Sequence, residues 1–233
     1  MANYLTSFDI SHELMAIFRP MADPSGVGDL EHEWPNNLLS TQTVIFEDGK
    51  FAKYPETVRH LVDREELETC RKLAHELEVR ACGIELQSET ACPLQGFYIT
   101  KNVDSPTPKE FTPDLVSELF AHNFFPLAPI TVEPLREDTD WWTTEVGTEE
   151  DEEDEEYAEF MLLWRDLIEW INGHDQLFDP VFVKVGDDSL MWELNREQFP
   201  AGTEMVGSLF PRLILARTAN GSVIGLAAYS VLT

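Results

Sequence analysis

The sequence predicts an α+β fold in which a mostly antiparallel sheet is covered on both faces. Two apolar runs, Leu213–Ala216 and Val223–Val231, flank Asn220-Gly221. That dipeptide tolerates positive φ at both central turn positions, so the stretch predicts a β-hairpin. Both arms are too apolar for one face to meet water, which indicates strands covered on both sides. Helical patterns mixed with such strands are typical of α+β domains.

The first helix of the main domain is predicted to begin at Asp63. Asp63 can accept from the Glu66 amide while the Glu66 side chain reaches back, as in a capping box. Gly83 follows the end of the pattern. Apolar residues recur at helical spacing and indicate a buried face, with Cys70 as a core residue; they are Leu67, Cys70, Leu73, Ala74 and Leu77.

Short elements follow. Ile84–Leu86 and Gly96–Thr100 are predicted strands joined by a turn over Gln87–Pro93. Asp114–Phe120 is a predicted short helix that Thr112 caps, with proline at its first position.

A longer amphipathic helix is predicted over Asp154–Asn172, before a strand at Val181–Val185. A Trp and Met stripe at helical spacing is more often core than a cofactor site. The stripe is Tyr157, Phe160, Met161, Trp164, Ile168 and Ile171.

The chain divides into an N-terminal extension of unknown role, residues 1–62, and a main domain, residues 63–233. Within the extension, Thr41–Phe46 and Lys50–Tyr54 flank Asp48-Gly49 and predict a hairpin. Residues 186–209 form a polar excursion that we interpret as an insertion before the final hairpin.

Charge is the most unusual global property. The chain has 16 basic and 44 acidic residues and a formal net charge of −28. Such a chain repels nucleic acids and anionic membranes and attracts basic partners. Part of this charge lies in one uninterrupted acidic tract. Runs of like charge are usually solvated or disordered, although this tract also precedes a predicted helix, where negative charge suits the helix dipole. The acidic tract is Glu149, Glu150, Asp151, Glu152, Glu153, Asp154, Glu155 and Glu156.

Cysteine usage and the N-terminus predict a cytoplasmic location. The three cysteines are odd in number and lack C-x-x-C spacing, which fits a reducing compartment. The N-terminus lacks the basic region of a secretory signal, and no apolar run approaches the ~20 residues of a membrane helix. Common catalytic motifs are absent and the six histidines are scattered. We therefore expect no enzymatic activity and no cofactor of the chain's own.

Two segments resemble the nuclease A inhibitor family, small acidic proteins that block sugar-nonspecific endonucleases. Ser88–Phe97, Ser-Glu-Thr-Ala-Cys-Pro-Leu-Gln-Gly-Phe, resembles the family's Ser-Glu-Ser-acid-aromatic-Pro-Phe-Glu-x-Phe turn and strand. Leu215–Thr233 is similar to its closing strand, turn and strand, which end at a threonine. Asp154–Val185 resembles its acidic-start helix and following strand. The resemblance covers roughly residues 63–233.

The resemblance implies an α-β-α sandwich and a specific mode of inhibition. In the family a turn glutamate enters the nuclease active site and binds the catalytic Mg²⁺, and the C-terminal threonine also reaches into that site. Carried over, the metal-reaching residue is Glu89 and the terminal contact is Thr233, with Ser88 and Thr90 beside Glu89 at the partner. A metal contact would therefore be to Mg²⁺ of the partner only.

Departures from the family leave more than one function open. Ala91 and Cys92 stand where the family has an acid and an aromatic residue, which puts contacts from those positions in doubt. The first hypothesis is an inhibitor of a metal-dependent nuclease. The alternative is an acidic DNA mimic, an anti-defence protein that occupies a basic nucleic-acid channel. A third reading, an enzyme of unknown chemistry, has no motif in its support.

Overall fold

A computed structural model describes residues 4–7, 43–45, 51–53, 60–86, 88, 92–101, 106–120, 128–148, 150–186, 197 and 209–231. The helices are α1 (Arg64–Arg80), α2 (Pro113–Leu119), α3 (Asp140–Glu145) and α4 (Glu155–Gly173), with a 3-10 turn at Asp151–Glu153. The strands are β1 (Tyr4–Ser7), β2 (Thr43–Ile45), β3 (Phe51–Lys53), β4 (His60–Asp63), β5 (Glu85–Leu86), β6 (Cys92–Pro93), β7 (Gln95–Ile99), β8 (Ile130–Pro134), β9 (Phe178–Val185), β10 (Leu209–Arg217) and β11 (Val223–Val231).

A five-stranded antiparallel sheet forms the centre of the fold. Its strand order is β7-β11-β10-β9-β8, so the terminal hairpin of β10 and β11 occupies two inner positions. Residues 210–216 and 223–228 are all buried. The prediction that both arms of this hairpin are covered on both sides is therefore confirmed.

Helices cover both faces of this sheet. On one face α1, α3 and α4 enclose a core that includes Leu73, Trp164 and Phe182. On the other face α2 closes a second core, in which the rings of Phe97 and Phe120 meet edge to face with centroids 6.3 Å apart. The predicted α+β fold is thus confirmed, with helix layers on either side of a mostly antiparallel sheet.

The start of α1 confirms one capping prediction and corrects another. Asp63 accepts from the amides of Glu65 (2.9 Å) and Glu66 (3.1 Å), as expected for an N-cap. Glu66 does not reach back. Its buried carboxylate accepts from the Thr218 hydroxyl and, at 2.6 Å, from the Asn220 amide. A buried carboxylate needs hydrogen-bond partners, and the terminal hairpin supplies them.

Cys70 is a fully buried core residue, as predicted. Its thiol lies 3.8 Å from Oε1 of Glu66, to which it donates. Burial, and after it the negative charge of Glu66, raises the pKa of the Cys70 thiol well above its ordinary value. This cysteine is therefore held as a thiol and belongs to the packing between α1 and the hairpin.

The turn of the terminal hairpin differs from the predicted two-residue turn. The Gly221 amide donates to the Thr218 carbonyl at 3.0 Å, and the Thr218 amide donates to the Ser222 carbonyl at 2.8 Å. Among the described residues of this turn only Gly221 has positive φ, at 90°. The loop therefore has three residues, a type I turn closed by a left-handed glycine. The Thr218 hydroxyl and Asn220 amide face Glu66, and this contact accompanies the longer loop.

The remaining helices and strands confirm the local predictions, and three further elements were not predicted. Thr112 caps α2 by accepting from the Leu115 amide at 3.1 Å. The α4 stripe faces the core as expected. The sequence analysis did not assign β8, α3 or the short strand β6, which pairs with β5.

The N-terminal region contributes two small pairings among the described residues. The predicted hairpin is confirmed as β2 paired with β3. β1 pairs with β4, and Tyr4 lies opposite Asp63. β4 crosses the predicted boundary between residues 62 and 63, and the division into extension and domain stays a prediction. The predicted insertion over residues 186–209 lies almost wholly outside the described residues.

Candidate functional site

The first candidate segment is the turn that contains Ser88. β5 and β6 hold it from both sides, since Leu86 pairs with Cys92 and both side chains are buried. Ser88 itself is half-buried in a bend between the two strands. Glu89 and Thr90, the other predicted contacts of this turn, lie outside the described residues. The local frame of the turn is therefore a short ladder with two buried anchors.

Strand register places this turn relative to β11. Val223 pairs with Ile99, and Ala227 pairs with Gln95. Because the strands are antiparallel, the start of β7 lies beside the middle of β11, and β5 and β6, which precede β7, also contact β11. Ser88 and Val231 thus belong to the same end of the sheet. Thr233 follows two residues later in the sequence and lies outside the described residues.

The acidic tract is folded where the structure describes it. Residues 150–155 form a 3-10 turn and the start of α4, so the tract does precede a helix, where negative charge suits the helix dipole. Glu149 and the Glu156 side chain lie outside the described part of the chain. Glu152 is half-buried, whereas the other described acids are exposed; these are Glu150, Asp151, Glu153, Asp154 and Glu155.

One arginine fixes the tract against the rest of the domain. Arg165 on α4 donates to Glu152 and, at 2.8 Å, to Glu137. These hydrogen bonds, the one to Glu137 most of all, raise the pKa of the Arg165 guanidinium. The cation therefore ties the 3-10 turn to the segment between β8 and α3.

Asp151 is held by its own turn. Its Oδ2 accepts from both the amide and the hydroxyl of Thr148 at 2.7 Å. The amide hydrogen bond, followed by the hydroxyl hydrogen bond, lowers the pKa of the Asp151 carboxyl. Gly147 precedes this turn with φ of 151°, and a Cβ there would lie 2.7 Å from the Tyr157 ring. The turn thus keeps an exposed carboxylate ionised and in one position.

The two candidate regions lie on different parts of the sheet. The tract contacts α4, whose Trp164 meets Trp141, and Trp141 stacks on Phe182 of β9. The Ser88 turn lies between β5 and β6, which precede β7 and contact β11. β7 and β9 are three strand spacings apart, roughly 14 Å. The structure therefore brings Ser88 towards the end of β11 and does not bring the acidic tract to Ser88.

The sequence analysis did not predict a buried ion pair that lies near the acidic tract. Arg212 on β10 donates from Nε to Glu145 at the end of α3, at 2.7 Å, with side chains only 7% and 9% exposed. A charge inside an otherwise apolar strand was the available signal. The pair fastens α3, and with it the approach to the acidic tract, to the sheet.

The described part of the chain contains neither a candidate metal site nor a candidate membrane-spanning helix. Within the described residues no group of three or more His, Cys, Asp or Glu side chains is placed to hold a metal ion. None of the helices found there has the length and apolarity needed to cross a membrane. No protein-family model matches the chain, and no curated protein matches it.

Proposed function

We propose that the chain is a cytoplasmic protein inhibitor of a metal-dependent, sugar-nonspecific nuclease, binding the nuclease active site in a one-to-one complex. It would act as a binding partner without turnover and without a cofactor of its own. The observation that supports this best is structural. The turn containing Ser88 is framed by the β5–β6 ladder and lies at the sheet end to which Val231 belongs.

The proposed contact follows from the ligand preferences of divalent ions. Mg²⁺ takes hard oxygen ligands, and a catalytic site leaves positions open for substrate phosphate. A carboxylate on a rigid turn can take such a position without offering a bond to cleave. Glu89 follows Ser88 directly in the sequence and would supply that carboxylate, with Ser88, Thr90 and Thr233 as flanking contacts to the nuclease.

The net negative charge of the chain would speed its association with the nuclease. A net charge of −28 speeds association with a basic nuclease and opposes direct binding to nucleic acid or to anionic membranes. Long-range charge mainly raises the association rate, whereas buried contacts set the dissociation rate. The two candidate regions would then act at different steps of binding.

Glu89→Gln tests the proposed metal contact. The change keeps the shape and removes the charge that Mg²⁺ would feel, so binding to a purified, Mg²⁺-loaded sugar-nonspecific nuclease should weaken by roughly 2–5 kcal/mol, mostly through faster dissociation. Calorimetric titration measures this loss and the expected one-to-one stoichiometry. The free energy of unfolding should stay unchanged, since a turn carboxylate contributes little to the core.

Glu85→Gln is the matched control, because Glu85 is an exposed carboxylate on β5, four residues earlier. It makes the same change of charge close to the turn, and its effect on affinity should be small. If Glu89→Gln and Glu85→Gln bind equally well, the metal contact is wrong. Substoichiometric inactivation of the nuclease would instead favour an enzyme.

A DNA mimic is the second candidate, and one observation favours it. Five exposed carboxylates of the acidic tract sit on a folded 3-10 turn and helix start, which Arg165 fastens to the domain. Ordered negative charges of this kind could occupy a basic nucleic-acid channel in place of phosphates. The partner would then be a basic nucleic-acid-processing protein, and the role anti-defence.

Neutralising the exposed tract separates the two candidates. Glu150, Glu153 and Glu155 are changed to Gln together, which leaves the Glu152–Arg165 contact intact. An inhibitor anchored at Glu89 should lose mainly association rate, and only at low salt, because exposed charges are screened beyond about 8–10 Å. A mimic should lose most of its affinity. Surface plasmon resonance at low and moderate salt measures both rate constants.

The control triple variant removes equal charge from exposed positions elsewhere. Its residues are Glu68, Glu78 and Glu169. Should both triple variants slow association alike and leave dissociation unchanged, the mimic is excluded. Loss of binding only when the tract is neutralised, with Glu89→Gln silent, would replace the first proposal by the second.

A further inference from the structure

A cavity of about 290 Å³ lies between α2 and the end of the sheet that carries the terminal hairpin turn. Ile99 and Val223 form its sheet wall, and Leu115 and Leu119 of α2 form the opposite wall. The volume is roughly twice that of the ~150 Å³ apolar cavity known to hold benzene. It therefore has room for an apolar body of about the size of a bicyclic aromatic ring.

Two lysines stand at this cavity without ion pairs. Neither Lys101 nor Lys109 has a carboxylate within ion-pair distance among the described residues. Arg64, Arg80 and Lys184 also have none there, but none of these three lines the cavity. Six cations of the described part do have carboxylate partners; these are Arg71, Lys72, Arg136, Arg165, Arg212 and Arg217. In a chain with 44 acidic residues, two lysines that line one cavity and have no carboxylate partner among the described residues leave positive charge available to a ligand there.

Glu110 and Glu118 also line the cavity, so the sign of the electrostatic potential inside it depends on how deeply each charged side chain is buried. Both glutamates are exposed, whereas Lys101 is half-buried at the end of β7. The Lys101 amide donates to Ser222 Oγ at 3.0 Å, which fixes the backbone of this residue against the hairpin. Lys109 is exposed like the glutamates. A partly buried charge is screened less than an exposed one, so the preference for an anion depends mainly on Lys101.

We infer that this cavity binds a small organic anion with a bicyclic-sized apolar body, whose carboxylate or phosphate group lies between Lys101 and Lys109. Apolar walls with a few convergent polar groups are the usual makeup of a small-molecule site. The site is separate from the proposed nuclease contact. Val223, where β11 begins, lines the cavity, while Ser88 belongs with the opposite end of that strand.

Binding of naphthalene derivatives to the full chain, without any nuclease, tests this inference. Titration calorimetry should give one saturable site for 2-naphthoate and for 2-naphthyl phosphate, with a dissociation constant of about 1 mM or tighter. The stronger of the two identifies the preferred anion. Neutral 2-naphthamide should bind at least tenfold more weakly, and cationic 2-naphthylmethylamine more weakly still.

Variants locate the site. Lys101→Gln should weaken binding of the anions at least tenfold, whereas Lys72→Gln, at an exposed lysine on α1, should leave it unchanged. Leu119→Trp places a ring in the cavity and should abolish binding, and circular dichroism checks that this variant is folded. The inference is overturned if neither anion binds at 5 mM, if the amine binds as well as the carboxylate, or if Lys101→Gln binds like the unchanged chain. Since no nuclease is present, these outcomes are independent of the proposed inhibition.

Discussion

Replacing Trp141 by alanine is expected to lower the free energy of unfolding by about 3–5 kcal/mol. Trp141 is fully buried on α3 and stacks on Phe182, with ring centroids 4.3 Å apart and planes 10° apart. Its indole also contacts Trp164, and its Nε1 donates to the Pro134 carbonyl at 3.0 Å. The substitution removes all three interactions and leaves a cavity between α3, α4 and the sheet.

Urea unfolding followed by circular dichroism measures the effect. The midpoint should fall with an unchanged slope, and the melting temperature should drop by roughly 6–20 °C. Trp141→Phe is the control, because it keeps a ring on Phe182 while it loses the hydrogen bond to Pro134 and part of the buried ring volume; its cost should be about 1–3 kcal/mol. Equal stability of Trp141→Ala and the unchanged chain would show that α3 does not pack as described.

Signals that act over a few residues allowed much of the fold to be predicted. The cap at Asp63, the cap at Thr112 and the α4 stripe depend on neighbours within one or two helical turns, and the structure confirms each. The covered terminal hairpin followed from an apolar run too long to face water. Such features are encoded locally, so a single sequence is enough to find them.

Contacts between distant segments were not predictable in the same way. Glu66 was assigned to its own helix start, but its carboxylate binds Thr218, 152 residues away. The three-residue turn at Gly221 belongs to the same contact, since a turn prediction from Asn220-Gly221 alone does not include α1. A charged residue at a buried helical position was the signal that could have indicated a partner elsewhere.

The candidate site was predictable only in part. The sequence singled out Ser88 and the acidic tract, but strand register was needed to place Ser88 at the end of the sheet where Val231 lies. Register depends on pairing between strands more than 120 residues apart, which no local pattern reports. The same holds for the cavity at Lys101, whose walls come from β7, α2 and the turn before β11. The roles of Glu89, Thr90 and Thr233 stay predictions.

The missed pair of Arg212 and Glu145 gives the other large effect. Glu145→Ala should destabilise the domain by about 3–5 kcal/mol, because it leaves the Arg212 guanidinium buried without its counter-charge. Two other contacts of Arg212 in the described part of the chain are the Pro211 carbonyl, which accepts from Nη1 at 3.2 Å, and the Phe210 ring, 5.9 Å away, and neither carries a negative charge. Lys184 lies opposite Arg212 on β9, so a second positive charge worsens the loss.

A double variant separates the net contribution of the ion pair to the free energy of unfolding from the cost of removing only one of its partners. Glu145→Leu combined with Arg212→Met removes both charges and keeps apolar volume, so its stability should lie close to that of the unchanged chain or above it. Glu68→Ala removes one member of the exposed Glu68–Arg71 pair and should cost no more than about 1 kcal/mol. Urea midpoints of the four proteins decide the question. If Glu145→Ala costs no more than Glu68→Ala, water must reach Arg212, and α3 does not seal this edge of the core beside the acidic tract.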